Sequence, residues 1–377
     1  MTGDIFGAVK GEAMATDYDA FLKAKLDAPA PHVGFAESVA DEWLFPFQRL
    51  IVEWALLRGR AAIFAGTGLG KTRMQLAWAA RVAAHTDGRV LIFAPLAVAQ
   101  QTVREAAAIG VSCAYAACQD DACTPVVITN YDRLHLFDVA SFTGVVLDES
   151  SILKSFMGAT KRVLCDGAAS LRFRLACTAT PAPNDHLELG NHAEFLGVLS
   201  SHEMIARWFI TDQSEFGTYR LKGHAIEPFW DWVASWAMCV DTPSDLGFAD
   251  DGYVLPELRV VPHVIDVDVT TDRGEGMLFR VPTLTATSVH KEKRATATER
   301  AEEVARAVAA EPDEQWIVWC DTDYEADALT AAMPLAVEVR GPHTAARKEE
   351  AAMGFTDGAI RVLVSKSSIF GWGLNWQ

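Results

Sequence analysis

An α/β fold built on parallel sheets is what this sequence predicts, and three observations carry that reading. Short apolar runs alternate with helical periodicity from residue 61 onward, the pattern of strands covered by helices on both faces. The first of those runs, Ala61-Ala62-Ile63-Phe64, passes through a glycine-rich turn into a helix over Arg73–Ala84. The alternation stops across residues 186–256, where aromatic helical sequence takes over, and resumes after residue 256. Two parallel-sheet domains with a helical insertion between them follow.

Taken in order, residues 1–40 carry mixed charge, Pro29 and Pro31 and a weak helical patch at Tyr18–Leu26, and read as a tail or a peripheral helix. Ordered structure is expected from near Trp43, with an amphipathic helix over Arg49–Leu57. Gln48 stands ahead of that helix. Its amide offers the donor and the acceptor that an adenine edge needs, although alone it would read as a solvated helix-start residue. The glycine turn is Ala65-Gly66-Thr67-Gly68-Leu69-Gly70-Lys71-Thr72. Glycines let backbone N–H groups turn inward on a phosphate, and the helix that follows presents its positive end. Lys71 adds a full charge for the phosphates and the Thr72 hydroxyl is placed to ligate Mg²⁺. Gly66, Thr67, Gly68, Leu69 and Gly70 complete the candidate phosphate loop. The strict pattern has glycine where this chain has Ala65. A nucleoside triphosphate is the expected ligand.

Four more buried strands follow, over Val90–Pro95, Val126–Tyr131, Val145–Glu149 and Arg174–Pro181, with a helix from Val98 to Ala108. Ligands of such sheets gather at the carboxyl ends of the strands, where the polar tips Thr129-Asn130, Asp148-Glu149 and Thr178–Thr180 fall. Asp148 and Glu149 end an apolar run, which sets them apart from a solvated acidic pair. An Asp there can hold Mg²⁺ through water, and the adjacent Glu can orient and deprotonate an attacking water. Across the insertion, Trp208, Trp230, Trp232 and Trp236 read as a packed helical segment before they read as base-stacking residues. The second alternation is expected as a strand over Val260–Val269, a loop over Thr270–Ser288 and a basic cluster at Lys291–Arg294. Helix Thr298–Ala310, strand Gln315–Cys320, helix Tyr324–Met333, strand Ala336–Arg340, helix Ala345–Phe355 and strand Ile360–Ser365 complete it.

Composition sets limits on function. A chain of 377 residues is long enough for two or three domains, and with half of them hydrophobic it can bury a sizeable core. No run approaches the ~18 apolar residues that span a bilayer, and the N-terminus lacks the basic flank and apolar stretch of a secretory signal. Seven cysteines, an odd number without a metal-type pair, read as reduced thiols in a cytoplasmic protein. The net charge of −17 excludes a basic coat but leaves room for a local basic groove.

Together these residues resemble the ordered motifs of the superfamily 2 DEAD/DEAH-like helicases. The spelling is similar to the Swi/Snf remodeller-like branch as carried by bacteriophages. The likeness rests on Gln48, Ala65–Thr72, Phe93–Leu96, Ile128–Tyr131, Asp148–Lys154, Thr178–Asp185 and Gly371–Asn375, and covers the chain from about residue 43. It implies two RecA-like domains (41–190 and 257–377) joined by a bridging segment (191–256) and clamping ATP and Mg²⁺ between them. It implies that Thr178, Thr180, Gly371 and Gly373 couple the nucleotide to a nucleic-acid groove. Pro95, Thr129, Asn130, Arg340, Lys366 and Ser367 would line that groove, with double-stranded DNA tracking as the expected activity. It also implies a later motif of paired arginines, against which the second of the two RecA-like parallel-sheet domains is incomplete. The last arginine here is Arg361, so a longer natural chain or a partner subunit is expected to supply that charge. Two other readings stay open at this level: a nucleotide-dependent DNA-binding module with little turnover, and a phosphate-loop kinase or metabolic ATPase.

Overall fold

The computed structural model describes residues 32–154, 158–211, 219–254, 257–265, 286–371 and 376. The chain forms two compact units, the first running to Val254 except for Leu96–Val98, the second from Leu255.

In the first unit Pro46 opens α1 (Pro46–Arg58) at a position where its missing N–H costs nothing, and Gly59, in a left-handed conformation, closes it. The elements that follow are β1 (Arg60–Ala65), α2 (Lys71–Thr86), β2 (Val90–Ala94), α3 (Leu96–Ala108), β3 (Cys113–Tyr115), β4 (Val126–Asn130) and β5 (Gly144–Asp148). Then come α4 (Ala159–Ala168), β6 (Phe173–Thr178), α5 (Leu189–Leu196), α6 (Ser201–Trp208), the antiparallel pair β7 (Phe209–Thr211) and β8 (Tyr219–Leu221), α7 (Ile226–Trp236) and β9 (Ala237–Val240). Seven strands make one parallel sheet in the order β3-β4-β2-β5-β6-β1-β9. The central strands are buried along their whole length, as their unbroken apolar spelling requires of strands covered on both faces. β6 lies between β1, which feeds the glycine turn, and β5, which delivers Asp148.

Two strands of this sheet were not legible in the sequence. β3 is only three residues long. β9 pairs with β1 in the register Ala62↔Ala237, so the aromatic helical sequence of residues 226–236 leads back into the sheet. Three of the four tryptophans are core: Trp208 and Trp236 are fully buried, and Trp208 stacks on Trp232 at 4.5 Å, while Trp230 is 41% exposed. Residues 32–40 also depart from the expected tail. Val33 N donates to Arg58 O at 3.1 Å and Phe35 N to Leu56 O at 3.0 Å, and the Phe35 ring stacks on His85. Gly34 permits this approach, because a Cβ there would fall 1.9 Å from Leu56 O.

The second unit contains α8 (Ala286–Ala295), α9 (Ala297–Ala310), β10 (Trp316–Trp319), α10 (Asp323–Ala332), β11 (Val337–Val339), α11 (Ala345–Thr356), β12 (Val362–Ser365) and the single turn α12 (Ser367–Phe370). Its strands are parallel in the order β10-β12-β11. Central β12 alternates faces: Val362 and Val364 pack with Val308 and Leu329, while Leu363 packs with Phe355 and Phe370. The strand expected over Val260–Val269 does not form in its described part. Residues 257–265 have no regular structure, and Val260 and Val264 are 77% and 88% exposed; alternating apolar residues make a strand only where a partner edge is available. Residues 266–285, and with them most of the expected Thr270–Ser288 loop, lie outside the described residues, while 286–288 already belong to α8. Among the described residues no helix is long and apolar enough to cross a membrane.

Candidate nucleotide site

The glycine turn joins β1 to α2 at the carboxyl edge of the sheet. Ala65, which replaces the usual glycine, is the last residue of β1 and has no left-handed φ, so its Cβ is accommodated. Gly68 and Gly70 do take positive φ, +85° and +75°. At Gly70 the left-handed φ disfavours any side chain, and a Cβ, 2.4 Å from Gln48 Nε2, would also push that amide aside. Gly70 is the N-cap of α2, and no side chain caps it. The first N–H groups of a 16-residue helix are therefore open to an anion at the helix's positive end. Lys71 Nζ donates to Ala65 O at 3.0 Å and Gly66 O at 3.1 Å, which holds the ammonium over the loop. Thr72 follows in the first turn of the helix.

Gln48 braces this loop from beneath. It is buried, its Nε2 donates to Leu69 O at 2.9 Å and its Oε1 accepts from Phe45 N at 3.0 Å. Each end of the amide retains one further bonding position, and the adenine role read from the sequence depends on those.

Asp148 closes β5, 5% exposed. Burial pushes its carboxyl up to about 6, with a contribution from Glu149, against the lowering effects of the Gln75 amide and the Lys71 charge. Gln75, one turn beyond Lys71 on α2, donates Nε2–H to Asp148 Oδ1 at 2.6 Å. Sequence reading missed Gln75; its position at the buried face of the helix that begins with Lys-Thr was the available signal. Tyr131 donates its hydroxyl to Asp148 O at 2.6 Å, and burial followed by the Asp148 charge holds that phenol well above its ordinary range. Glu149 sits at φ +51°, a left-handed conformation that costs a non-glycine residue roughly 1–2 kcal/mol. That turn lets its Oε2 accept from Thr178 Oγ1, at the tip of β6, at 3.1 Å. The same hydroxyl accepts from Thr180 N at 3.1 Å. Thr178 thus joins the carboxylate strand to the Thr-Ala-Thr turn.

The residues fit a triphosphate with its divalent cation. The uncapped helix end, the two left-handed glycines and Lys71 suit phosphate oxygens. The hydroxyl of Thr72 and the carboxylate of Asp148 are hard oxygen donors of the kind Mg²⁺ takes.

The expected nucleic-acid residues stand differently. Thr129 and Asn130 are 0% and 5% exposed, and Asn130 Oδ1 accepts from the Tyr115 hydroxyl at 3.4 Å. As the strand tip is packed, these two side chains offer almost no surface; a strand that is buried on both faces keeps its last residues buried too. Pro95 is the partly exposed N-cap of α3. In the second unit Arg340 pairs with Glu338 and Asp327, and Lys366 with Asp323 at 2.8 Å. Lys293, in the basic cluster, pairs with Asp321 at 3.0 Å. Ser367 opens the turn α12, which Gly371 follows; Gly373 lies outside the described residues.

No family model matches this chain, and no curated protein does. Among solved structures, the chain is similar to the Sulfolobus solfataricus SWI2/SNF2 ATPase core in complex with dsDNA, at 15% identity over 86% of this chain and 78% of that one, with a TM-score of 0.47. The SWI2/SNF2 ATPase core domain of the same organism gives 14% identity over 90% and 80%, with a TM-score of 0.46. The UvsW helicase from bacteriophage T4 gives 16% identity over 49% of this chain and 66% of that one, with a TM-score of 0.34.

Proposed function

We propose that this chain is an ATPase of the helicase or translocase type, which couples hydrolysis of ATP to movement along nucleic acid, with double-stranded DNA as the track. The observation that carries the hydrolytic half is the hydrogen bond between Thr178 and Glu149. It sets the candidate base beside a loop and a buried carboxylate suited to a triphosphate and its cation, and ties it to a turn able to report the nucleotide's state. When bound, Mg²⁺ would supply Lewis-acid polarisation of the terminal phosphate. Lys71 and the α2 N-terminus hold the phosphates, Thr72 and Asp148 hold the cation, and Gln75 and Tyr131 fix Asp148. Glu149, anchored through one oxygen by Thr178, keeps the other to orient a water and accept its proton. Gln48 keeps the loop in shape from below.

The nucleic-acid half rests on the order of the motifs in the sequence, from Gln48 to Gly371. Arg340 and Lys366 already pair with carboxylates, so an incoming phosphate competes with Asp327, Glu338 and Asp323, and the contacts these two cations make are local and weak. Equilibrium binding of a fluorescent ATP analogue tests the site. Replacing Lys71 by Ala should weaken it by ~10-fold or more, the value of one charge-assisted hydrogen bond; unchanged affinity in a folded variant would remove the phosphates from this loop.

A further inference from the structure

Two consecutive polar residues of α5, Asn191 and His192, are each 1% exposed, and nothing in the site as described uses them. Burying an amide and an imidazole is unfavourable unless their polar atoms find partners, so the identity of those partners is informative. Asn191 Nδ2 donates to Lys154 O at 3.2 Å, the last residue of the turn Ser150–Lys154 that directly follows Asp148 and Glu149. Its Oδ1 accepts from Lys161 Nζ at 2.9 Å and from the Ser201 hydroxyl at 3.3 Å, so the amide is oriented from both ends. The Lys161 ammonium is neutralised in turn by Glu194 at 2.8 Å.

His192 faces a different loop. Its ring nitrogen Nε2 lies 3.0 Å from Pro181 O, and because a carbonyl only accepts, Nε2 carries the proton. Pro181 ends the run Thr178-Ala179-Thr180-Pro181. The imidazole packs edge-on against Phe64 of β1 at 5.2 Å between ring centres, which leaves the ring little room to turn. Successive helical side chains point about 100° apart, so one short helix reaches both loops with neighbouring residues. Those loops meet at the Thr178–Glu149 bond.

We propose that Asn191 and His192 are positioning residues for hydrolysis: α5 grips the carboxylate loop through Lys154 O and the Thr-Ala-Thr loop through Pro181 O. In doing so it sets the register in which Glu149 meets Thr178. Leucine at either position would pack against the sheet equally well and hold neither loop. This inference rests on the reading of Glu149 as the base, and deepens it.

The test uses the full chain and three substitutions. His192→Phe keeps the ring volume and the contact with Phe64 but loses the donor. His192→Gln keeps an N–H at similar reach. Asn191→Asp keeps the acceptor for Lys161 but sets an oxygen against Lys154 O. In hydrogen–deuterium exchange of the nucleotide-free protein, His192→Phe should speed exchange of residues 178–184 by ~10-fold, a loss of about one hydrogen bond, with residues 60–70 unchanged. His192→Gln should restore it, and Asn191→Asp should speed residues 150–154 instead. In ATP turnover, His192→Phe should lower kcat by ~10-fold with KM unchanged, and His192→Gln should recover most of it. Equal impairment by Phe and Gln in both measurements would make the position one of packing only, and overturn the proposal, as would parental exchange and turnover in His192→Phe. Should His192→Phe not fold, parental exchange of 150–154 in Asn191→Asp overturns it alone. If Glu149→Gln turns over ATP at the parental rate, the reading of Glu149 fails, while the exchange arms still decide whether α5 holds the two loops.

Discussion

Replacing Gln75 by leucine removes one hydrogen bond from the most buried carboxylate of the site without changing side-chain volume much. Gln75 Nε2 lies 2.6 Å from Asp148 Oδ1, and both residues are buried. A hydrogen bond to a charged group contributes about 1.5–3 kcal/mol, which corresponds to a ~10–100-fold rise in the proton affinity of the carboxyl when the bond is lost. Burial already pushes Asp148 up to about 6, so the variant should hold it at least half protonated at pH 7. A protonated carboxyl does not ligate Mg²⁺. The Mg²⁺ concentration needed for half-maximal binding of a fluorescent ATP analogue should therefore rise at pH 7, by ~2–10-fold on this arithmetic. The defect should shrink at pH 8.5, where Asp148 is ionised in both proteins. A Gln75→Leu protein with the parental Mg²⁺ requirement at pH 7, or with a defect that does not change with pH, would refute the assignment of Asp148 and its support.

Glu149→Gln should retain ATP and Mg²⁺ binding but lose turnover, because an amide keeps the bond from Thr178 and cannot take a proton; single-turnover kinetics reads this, and parental rates would place the base elsewhere. Gly70→Ala forces a Cβ into a left-handed φ and to within 2.4 Å of Gln48 Nε2, at a cost of roughly 1–2 kcal/mol from the backbone alone. Its melting temperature and nucleotide affinity should fall together, and an unchanged pair of values would contradict the loop's geometry. His192 is buried neutral, and burial holds its pKa down to about 4 against 6.5 for the free side chain. The unfolded chain therefore binds one more proton between those values, and this residue's contribution to stability falls as pH drops from 6.5 to 4, by about 3 kcal/mol in all. Urea unfolding of His192→Gln should show a shallower loss of stability than the parent across that range, and parallel curves would show that His192 is not buried neutral.

Much of the first sheet was readable because its strands are buried on both faces and carry unbroken apolar runs, as in Val90–Ala94 and Val145–Leu147. The glycine turn was readable because Gly68 and Gly70 are required by backbone geometry. What escaped is short or depends on a distant partner. β9 is four residues following an aromatic helix, and only its pairing with β1 makes it a strand. Over 260–265, the described part of the expected Val260–Val269 strand, the expectation failed for the converse reason, since alternation there meets no edge among the described residues. Gln75, Asn191 and His192 look like ordinary polar residues in a string of letters. Their meaning lies in Asp148, Lys154 and Pro181, 73, 37 and 11 residues away. The nucleic-acid residues were the least legible. A polar tip such as Thr129-Asn130 does not reveal whether its side chains reach the surface or pack beneath it.

The most direct measurement is ATP turnover by the parent, Lys71→Ala and Glu149→Gln proteins, with and without single-stranded and double-stranded DNA and RNA. The account predicts that whatever turnover the parent shows is lost in both variants, and that double-stranded DNA raises it above the other nucleic acids once the paired-arginine charge is supplied. Turnover surviving in either variant would contradict it.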